Sequence, residues 1–140
     1  MIEVIDIARQ CLKTPFRHQA RVPGLGIDCV GLLVHCFKEL GLPYTDEYGY
    51  ARNPFDGMLE KNLDAQPSLQ RLKLGEQKAG DILVMRIKLA PQHIAIHAGE
   101  RDGHVYIIHS SELHGGVVEH RLDELWGSRV MMAYRIEAPK

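Results

Sequence analysis

The sequence has little of what marks several common classes of protein. Its 140 residues carry a formal net charge of −1, and the basic residues form no run, which gives no electrostatic basis for binding nucleic acid or an anionic membrane. Cysteine occurs only three times, an odd count without a paired CxxC motif, so neither a disulfide framework nor a zinc site of that type is predicted. No apolar run is long enough to span a membrane.

The N-terminus lacks the features of an export signal. Residues 1–6 include acidic side chains where a secretory signal peptide has basic ones, and no long apolar stretch follows. We therefore expect synthesis in the cytoplasm, no membrane insertion, and some other carrier if the protein works outside the cytoplasm.

The composition is that of an ordinary soluble globule, with 45% hydrophobic and 25% charged residues. A length of 140 residues predicts one domain, spanning 1–140, with a core of its own. Helical patterns cover 2–12 and 29–40, whereas 16–27 has the proline and glycine content of a loop. A third helix is expected to begin at Asn53-Pro54 and to bury Met58, Leu59 and Leu63.

The second half of the chain changes to strand-like segments. These lie near 82–85, 93–98, 104–109 and 130–136, with a hairpin turn at 100–103, while 69–74 is too sparse in apolar residues to distinguish helix from irregular structure. Helices followed by a meander of strands predict an α+β fold, with N-terminal helices packed on a mainly antiparallel sheet of about five strands.

One cysteine is placed where a helix should begin. Asp28 is suited to cap that helix, and Cys29 then lies in its first turn. Unpaired N–H groups and the helix dipole favour a thiolate there, and such positions lower a cysteine pKa from about 8.5 to roughly 3.5–7.5. Cys11 and Cys36 lie instead in apolar helical patterns and are expected to be small core residues.

Histidines at the ends of two predicted strands supply a partner for this thiol. The turn at 100–103 pairs the strands antiparallel, which places His93 at the start of one beside His109 at the end of the other. A cysteine with histidines distant in sequence is the pattern of a nucleophile and its base. His97, His104 and His114 compete with His109 for the second place.

Four short motifs follow one another along the chain: Asp28-Cys29-Val30-Gly31-Leu32, Gly80-Asp81-Ile82-Leu83, His93-Ile94-Ala95-Ile96 and Ile108-His109-Ser110. In this order they resemble the NlpC family of cysteine peptidases, which have a papain-like fold. The resemblance extends from Thr14 to about Tyr134. The segment from Thr14 to Ala20 and the short length are similar to members associated with phage and prophage tails.

The resemblance implies hydrolysis of an amide bond in a peptidoglycan stem peptide, typically between D-glutamate and a diamino acid. It implies a catalytic triad in which Cys29 is the nucleophile, His93 the base and His109 the orienting group. No metal and no cofactor are needed. The expected partners are the peptidoglycan peptide and phage tail proteins, with action at the cell wall and no role for nucleic acid.

The resemblance also assigns the substrate side of the site, to Phe16, His18 and Asp28, although Asp28 is expected chiefly to cap the helix. Two positions depart from the family pattern. Val30 follows the cysteine where serine is common, and Phe16 stands where tyrosine is usual. The missing hydroxyl removes a possible hydrogen bond to the substrate or the oxyanion.

Three alternatives stay open at this point. A zinc site could use Cys29, His93, His97 and His109, which are suitable ligand types, although the first two of these histidines are far apart on one extended strand. A structural tail-tip protein could keep the fold and lose catalysis, for which Phe16 leaves room. A papain-like amidase or acyltransferase acting on another amide would use the same nucleophile and base.

Overall fold

A computed structural model describes residues 3–46, 57–87 and 90–139 of the chain. Six strands of this part form one sheet in the order β3-β8-β4-β5-β6-β7, and every neighbouring pair is antiparallel. The elements are α1 Val4–Gln10, β1 Arg21–Val22, β2 Gly26–Ile27, α2 Cys29–Leu40, α3 Met58–Asp64, β3 Leu69–Leu72, β4 Ile82–Ile87, β5 Ala90–Arg101, β6 His104–Ser111, β7 Gly116–Arg121, α4 Glu124–Gly127 and β8 Val130–Ile136.

The predicted α+β fold with a mainly antiparallel sheet is confirmed, with six strands in the sheet where about five were expected. Helix α2 begins and ends as the sequence predicts. The Asp28 carboxylate caps its first turn, and Gly41 ends it in the left-handed region with φ 69°, a conformation that glycine adopts without a steric penalty. None of the helices in the described ranges is long and apolar enough to cross a membrane.

Two hydrophobic clusters cover the two faces of the sheet, because successive side chains of a strand point to opposite faces. The larger cluster packs Ile82 and Ile94 against helices α1 and α2. The smaller one joins Leu83 and Ala95 to Trp126 of α4. Each large apolar side chain buried in this way contributes roughly 1.5–3 kcal/mol to folding. The catalytic candidates His93 and His109 alternate with residues of the first cluster and therefore belong to the face covered by α4.

The cysteines divide as the sequence predicts. Cys11 and Cys36 are fully buried in the larger cluster, whereas Cys29 at the start of α2 is half-buried, and all three are free thiols. Only Cys29 is therefore open to a reagent or a substrate in the folded protein.

Two segments differ from the sequence-based expectation. The predicted loop 16–27 contains a two-stranded ribbon, β1 with β2, across the turn at Gly24. The segment 69–74 contains β3, an edge strand on β8 that buries Leu69 but leaves Gln70 exposed. An edge strand buries few side chains, which is why its apolar pattern is sparse.

For the third helix and the hairpin turn, the structure changes details of the prediction and keeps the elements themselves. The expected start at Asn53-Pro54 lies outside the described residues; within them α3 buries Leu59 and Leu63 as predicted, but Met58 is 39% exposed. Strand β5 continues to Arg101, so the turn before β6 consists of two residues with positive φ, 53° at Asp102 and 79° at Gly103. An Asp-Gly pair of this kind is typical of a tight type I′ hairpin.

Candidate active site

Hydrogen bonds from the loop at Gln19 and Arg21 and from the first turn of the helix hold the start of α2 in place. Asp28 is buried, and its carboxylate accepts hydrogen bonds from the Gly31 N–H (2.7 Å), the Gln19 N–H (2.8 Å) and the Arg21 guanidinium (3.0 Å). Gly31 allows a close approach that any side chain would prevent, since a Cβ there would clash with the Ala20 carbonyl. These contacts fix the backbone on which Cys29 stands.

Strand β6 is tied to the same point of the chain. The buried Ser110 hydroxyl donates a 2.7 Å hydrogen bond to the carbonyl of Ile27, two residues before Cys29. Ser110 directly follows His109, so this single contact sets the position of the histidine strand relative to the thiol. It gives a structural reason for a small hydroxyl residue after the histidine.

Three imidazoles form a chain of hydrogen bonds that leads away from the cleft. His93 Nε2 lies 2.6 Å from His109 Nδ1, and His109 Nε2 lies 2.8 Å from His120 Nε2. His120 Nδ1 lies 2.8 Å from the carbonyl oxygen of Arg121. The predicted proximity of His93 and His109 is confirmed, and His120 extends the pair beyond what the sequence indicated.

The carbonyl at the end of the chain sets the proton on every ring. A carbonyl only accepts, so a neutral His120 carries its hydrogen on Nδ1 and leaves Nε2 to accept from His109 Nε2–H. His109 then accepts through Nδ1 from His93 Nε2–H. The Nδ1 of His93 is consequently left with a free lone pair, which is the state that a general base requires.

Burial shifts the pKa values of Cys29 and His93 in opposite directions. It raises the pKa of Cys29 to about 12, assisted by the Asp28 carboxylate, while backbone hydrogen bonds from Ile94 and Val30 oppose it. Burial also lowers the pKa of His93 to about 4, and Arg129 adds to that shift. Burial therefore favours the neutral form of both groups. It acts against the thiolate that the helix N-terminus was expected to favour.

Burial also lowers the pKa of the second imidazole, His109. Burial holds the pKa of His109 well below its usual range, and the neighbouring His93, His120 and His114 lower it further. A neutral His109 can accept a hydrogen bond from His93, which a doubly protonated ring could not do.

Cys29 and His93 border one cleft of about 370 Å³. Seven apolar side chains of α2 and α3 form one part of its wall, and Trp126 and Arg129 also line it. Gln92 also lines it, with a buried side-chain Nε2 that has no hydrogen-bond partner in the described part of the chain. The apolar wall consists of Val30, Leu33, Val34, Phe37, Met58, Leu59 and Leu63.

The three residues predicted to lie near the substrate all border this cleft. Phe16 is held beside Ile27 by a backbone bridge and presents a ring without a hydroxyl. His18 lies on the same loop. The Asp28 carboxylate accepts the three hydrogen bonds described above, so its observed role is that of the helix cap. Substrate contact by these residues stays a prediction.

Of the three competing histidines, His114 lies beside His109 with ring centroids 5.6 Å apart, and the other two have different surroundings. His97 is buried and accepts a hydrogen bond from the Gly99 N–H, and His104 is exposed at the hairpin turn. The zinc set that included Cys29 and His97 is not assembled; among the described residues, the histidines, cysteines and acids close enough to share an ion are His109, His114 and His120.

Sequence reasoning missed His120, Gln92 and Trp126. Strand alternation could have found His120, because β7 pairs with β6 and places His120 opposite Ile107, diagonal to His109 on the same face. Trp126 packs edge-on against His109 with ring centroids 5.0 Å apart. No local pattern in the sequence indicates this contact, since α4 is a single short turn.

Comparison with known proteins identifies the fold and the family of the chain. Among solved structures, the crystal structure of the NlpC/p60 domain of peptidoglycan hydrolase SagA matches with a TM-score of 0.64 and 18% identity, covering 95% of this chain and 96% of that chain. At this identity the match establishes a shared fold, the expected papain-like one. A comparison with curated proteins found no match. The model of the NlpC/P60 family matches residues 13–135, and the chain therefore belongs to the NlpC/P60 family.

Proposed function

We propose that this protein is a cysteine peptidase that hydrolyses an amide bond in the peptide part of peptidoglycan. The observation that carries the proposal is the His93–His109 hydrogen bond of 2.6 Å beside a cleft that also contains Cys29. A thiol, a base and a group orienting that base are the three parts of a nucleophilic triad. Family membership and the fold shared with a domain of a peptidoglycan hydrolase support the substrate class.

The reaction begins from the neutral pair. His93 Nδ1 takes the proton of the Cys29 thiol as sulfur attacks the carbonyl carbon, so that no isolated thiolate has to be buried beforehand. The oxyanion then accepts hydrogen bonds from N–H groups in the first turn of α2, which have no acceptor within the helix. Asp28 already accepts from Gly31, which leaves the N–H groups of Cys29 and Val30 for the thiol and the oxyanion.

The protonated His93 next donates its Nδ1 proton to the leaving amine. Water attacks the acyl-enzyme, with His93 again as base, and the acid product leaves a free Cys29 thiol. His109 is a positioning residue in this scheme, because it holds His93 through Nε2 and does not touch the substrate. Phe16 has no hydroxyl and therefore donates no hydrogen bond to the oxyanion.

The finer assignment rests on the resemblance in motifs. We propose that the bond joins D-glutamate to a diamino acid and that the protein acts at the cell wall as part of a phage or prophage tail. Detection of the chain in purified tail particles by mass spectrometry would support this location, and its consistent absence from such particles would contradict it.

The activity is tested by digesting purified muropeptides and identifying the products by mass analysis. Cys29→Ala should abolish cleavage, and His93→Ala should lower kcat/KM by at least about 100-fold, the usual contribution of a general base. His104→Ala changes an exposed histidine outside the cleft and serves as the matched control. Full cleavage by folded Cys29→Ala would overturn the assignment.

A second candidate is favoured by the apolar wall of the cleft, formed by α2 and α3. An amidase or acyltransferase for an amide with a hydrophobic acyl group would use the same Cys29 and His93. Parallel assays on a muropeptide and on an N-acyl amide would separate the two. Faster turnover of the acyl amide would favour this second function.

A further inference from the structure

His109, His114 and His120 form a cluster beside the cleft, and none of the three is among the residues that line it. Their ligand atoms all lie within 4.8 Å of one another, and the ring centroids are 4.9 to 5.6 Å apart. Imidazoles bound to one tetrahedral ion, with metal–nitrogen distances of about 2.0–2.1 Å, have nitrogens roughly 3.3 Å apart. The cluster therefore needs only small side-chain adjustments to surround an ion.

Each of the three rings also has a partner for its other nitrogen. Nδ1 of His120 lies 2.8 Å from the Arg121 carbonyl, Nδ1 of His114 lies 2.9 Å from the Ser111 hydroxyl, and Nδ1 of His109 faces His93. Metal-binding histidines almost always have such a hydrogen bond, which orients the ring. All three Nε2 atoms are left as the ligand set.

The cluster is accessible from solvent on one side and packs against Trp126 on another. His109 is buried, His120 is half-buried and His114 is exposed, so an ion can enter past His114. Trp126 contacts all three rings, with centroid distances of 5.0 to 6.0 Å, and limits their movement. Three neutral imidazoles suit Zn²⁺, Cu²⁺ or Ni²⁺ rather than Mg²⁺ or Ca²⁺, which prefer oxygen.

We propose that His109, His114 and His120 bind a divalent transition metal ion through their Nε2 atoms, with water in the fourth position, and that the ion switches off the catalytic base. Binding follows from the cluster alone, whereas the inhibitory effect rests on the proposed function.

Inhibition follows from the proton positions in the imidazole chain. An ion on His109 Nε2 moves the hydrogen of that neutral ring to Nδ1, from which it donates to His93 Nε2. His93 must then carry its own hydrogen on Nδ1, the nitrogen that otherwise accepts the Cys29 proton. The three rings stay neutral and no proton is lost, yet His93 can no longer act as a base.

Binding is tested with Co²⁺, whose visible spectrum reports tetrahedral coordination. The Cys29→Ala variant is used, because it removes the competing thiol. We expect one equivalent to bind with tetrahedral bands, and His114→Ala to weaken binding by more than the roughly 10–100-fold that loss of an orienting group costs. His104→Ala, a matched exposed histidine, should bind like its parent. Equal affinity in the two variants would overturn the site.

The switch is tested with Zn²⁺ and two readouts. Zn²⁺ should inhibit the wild type reversibly, with activity restored by a chelator, and His114→Ala should need at least 10-fold more Zn²⁺ for the same inhibition. Imidazole ¹⁵N spectra should show that the His93 hydrogen moves from Nε2 to Nδ1 when Zn²⁺ binds. Binding without this movement would refute the switch while leaving the site intact.

The two readouts also separate this proposal from the proposed function. If no variant cleaves a muropeptide, the Co²⁺ and ¹⁵N experiments still decide whether the site exists. If the enzyme is active but Co²⁺ does not bind to Cys29→Ala, the metal site alone fails.

Discussion

Nε2 of His93 lies 2.6 Å from Nδ1 of His109, and this hydrogen bond decides which nitrogen of a neutral His93 carries the hydrogen. The contact joins two different strands, and burial keeps both rings neutral by lowering their pKa values. A neutral His109 accepts from His93 Nε2–H and thereby leaves the His93 Nδ1 lone pair free. In the proposed mechanism, Cys29 therefore depends on a residue that it need not touch.

Replacing His109 tests the orienting role. His109→Leu removes the acceptor for His93 Nε2–H, and kcat should fall about 100-fold, with KM unchanged because His109 does not line the cleft. His109→Gln retains an oxygen acceptor and should keep more of the activity. If both variants fold and have the same kcat, the orienting role is wrong.

Replacing His120 tests the extended chain. His120→Phe keeps a ring against Trp126 but removes the acceptor for His109 Nε2–H. One neutral hydrogen bond contributes about 1 kcal/mol, a factor of roughly 5 in rate. We expect kcat to fall by that factor and the ¹⁵N spectrum of His93 to report a mixture of tautomers. An unchanged spectrum would show that His120 does not set the proton position.

Alkylation tests the difference in exposure among the thiols. Cys11 and Cys36 have no exposed surface, so iodoacetamide should modify Cys29 alone in the native protein at neutral pH. His93→Ala should slow that reaction, because burial raises the Cys29 pKa and the base that removes its proton is missing. Peptide mapping identifies the site, and unfolding in denaturant should expose all three thiols. Equal modification of Cys36 in the native state would contradict the fold.

Gln92 is expected to lower the free energy of unfolding and to contribute a contact with the substrate. Its buried side-chain nitrogen has no partner in the described residues, and an unpaired buried donor costs about 1–3 kcal/mol. Gln92→Leu should therefore raise the free energy of unfolding while lowering kcat/KM, since the cleft loses a donor for a substrate carbonyl. Gln70→Leu, at an exposed position on β3, controls for added apolar surface. A variant that is less stable than the wild type would refute this reading.

The lowered pKa of His97 predicts that the folded protein loses stability in mild acid. Burial lowers its pKa, opposed by the carboxylates of Asp81 and Glu100. A folded-state pKa below the unfolded value of about 6.5 means that the unfolded chain binds the proton first, so stability falls as the pH drops below that value. His97→Gln carries no such proton. Chemical denaturation between pH 7.5 and pH 5 should show a smaller loss for the variant than for the wild type.

Local patterns in the sequence were sufficient for several parts of this protein. The Asp28 cap, the Gly41 end and the buried stripe between them define α2 through contacts within a few residues. The Asp102-Gly103 turn defines a hairpin in the same local way, and hairpin pairing brings His93 next to His109. For that reason the thiol at the helix start and the histidine pair were both predictable.

Other features depend on contacts between segments that are far apart in the sequence. Strand β3 exists because it pairs with β8, and its own residues carry too little apolar pattern to indicate a strand. The proton positions in the histidine chain depend on the Arg121 carbonyl, which only the β6–β7 pairing brings close. The Cys29 pKa was predicted from the helix dipole, a local effect, yet burial by the surrounding fold reverses its direction. The sequence by itself determined the candidate thiol and the histidine pair beside it, and the tertiary structure decided the direction of their pKa shifts and which nitrogen of His93 carries the hydrogen, because desolvation and long-range hydrogen bonds arise only in the folded chain.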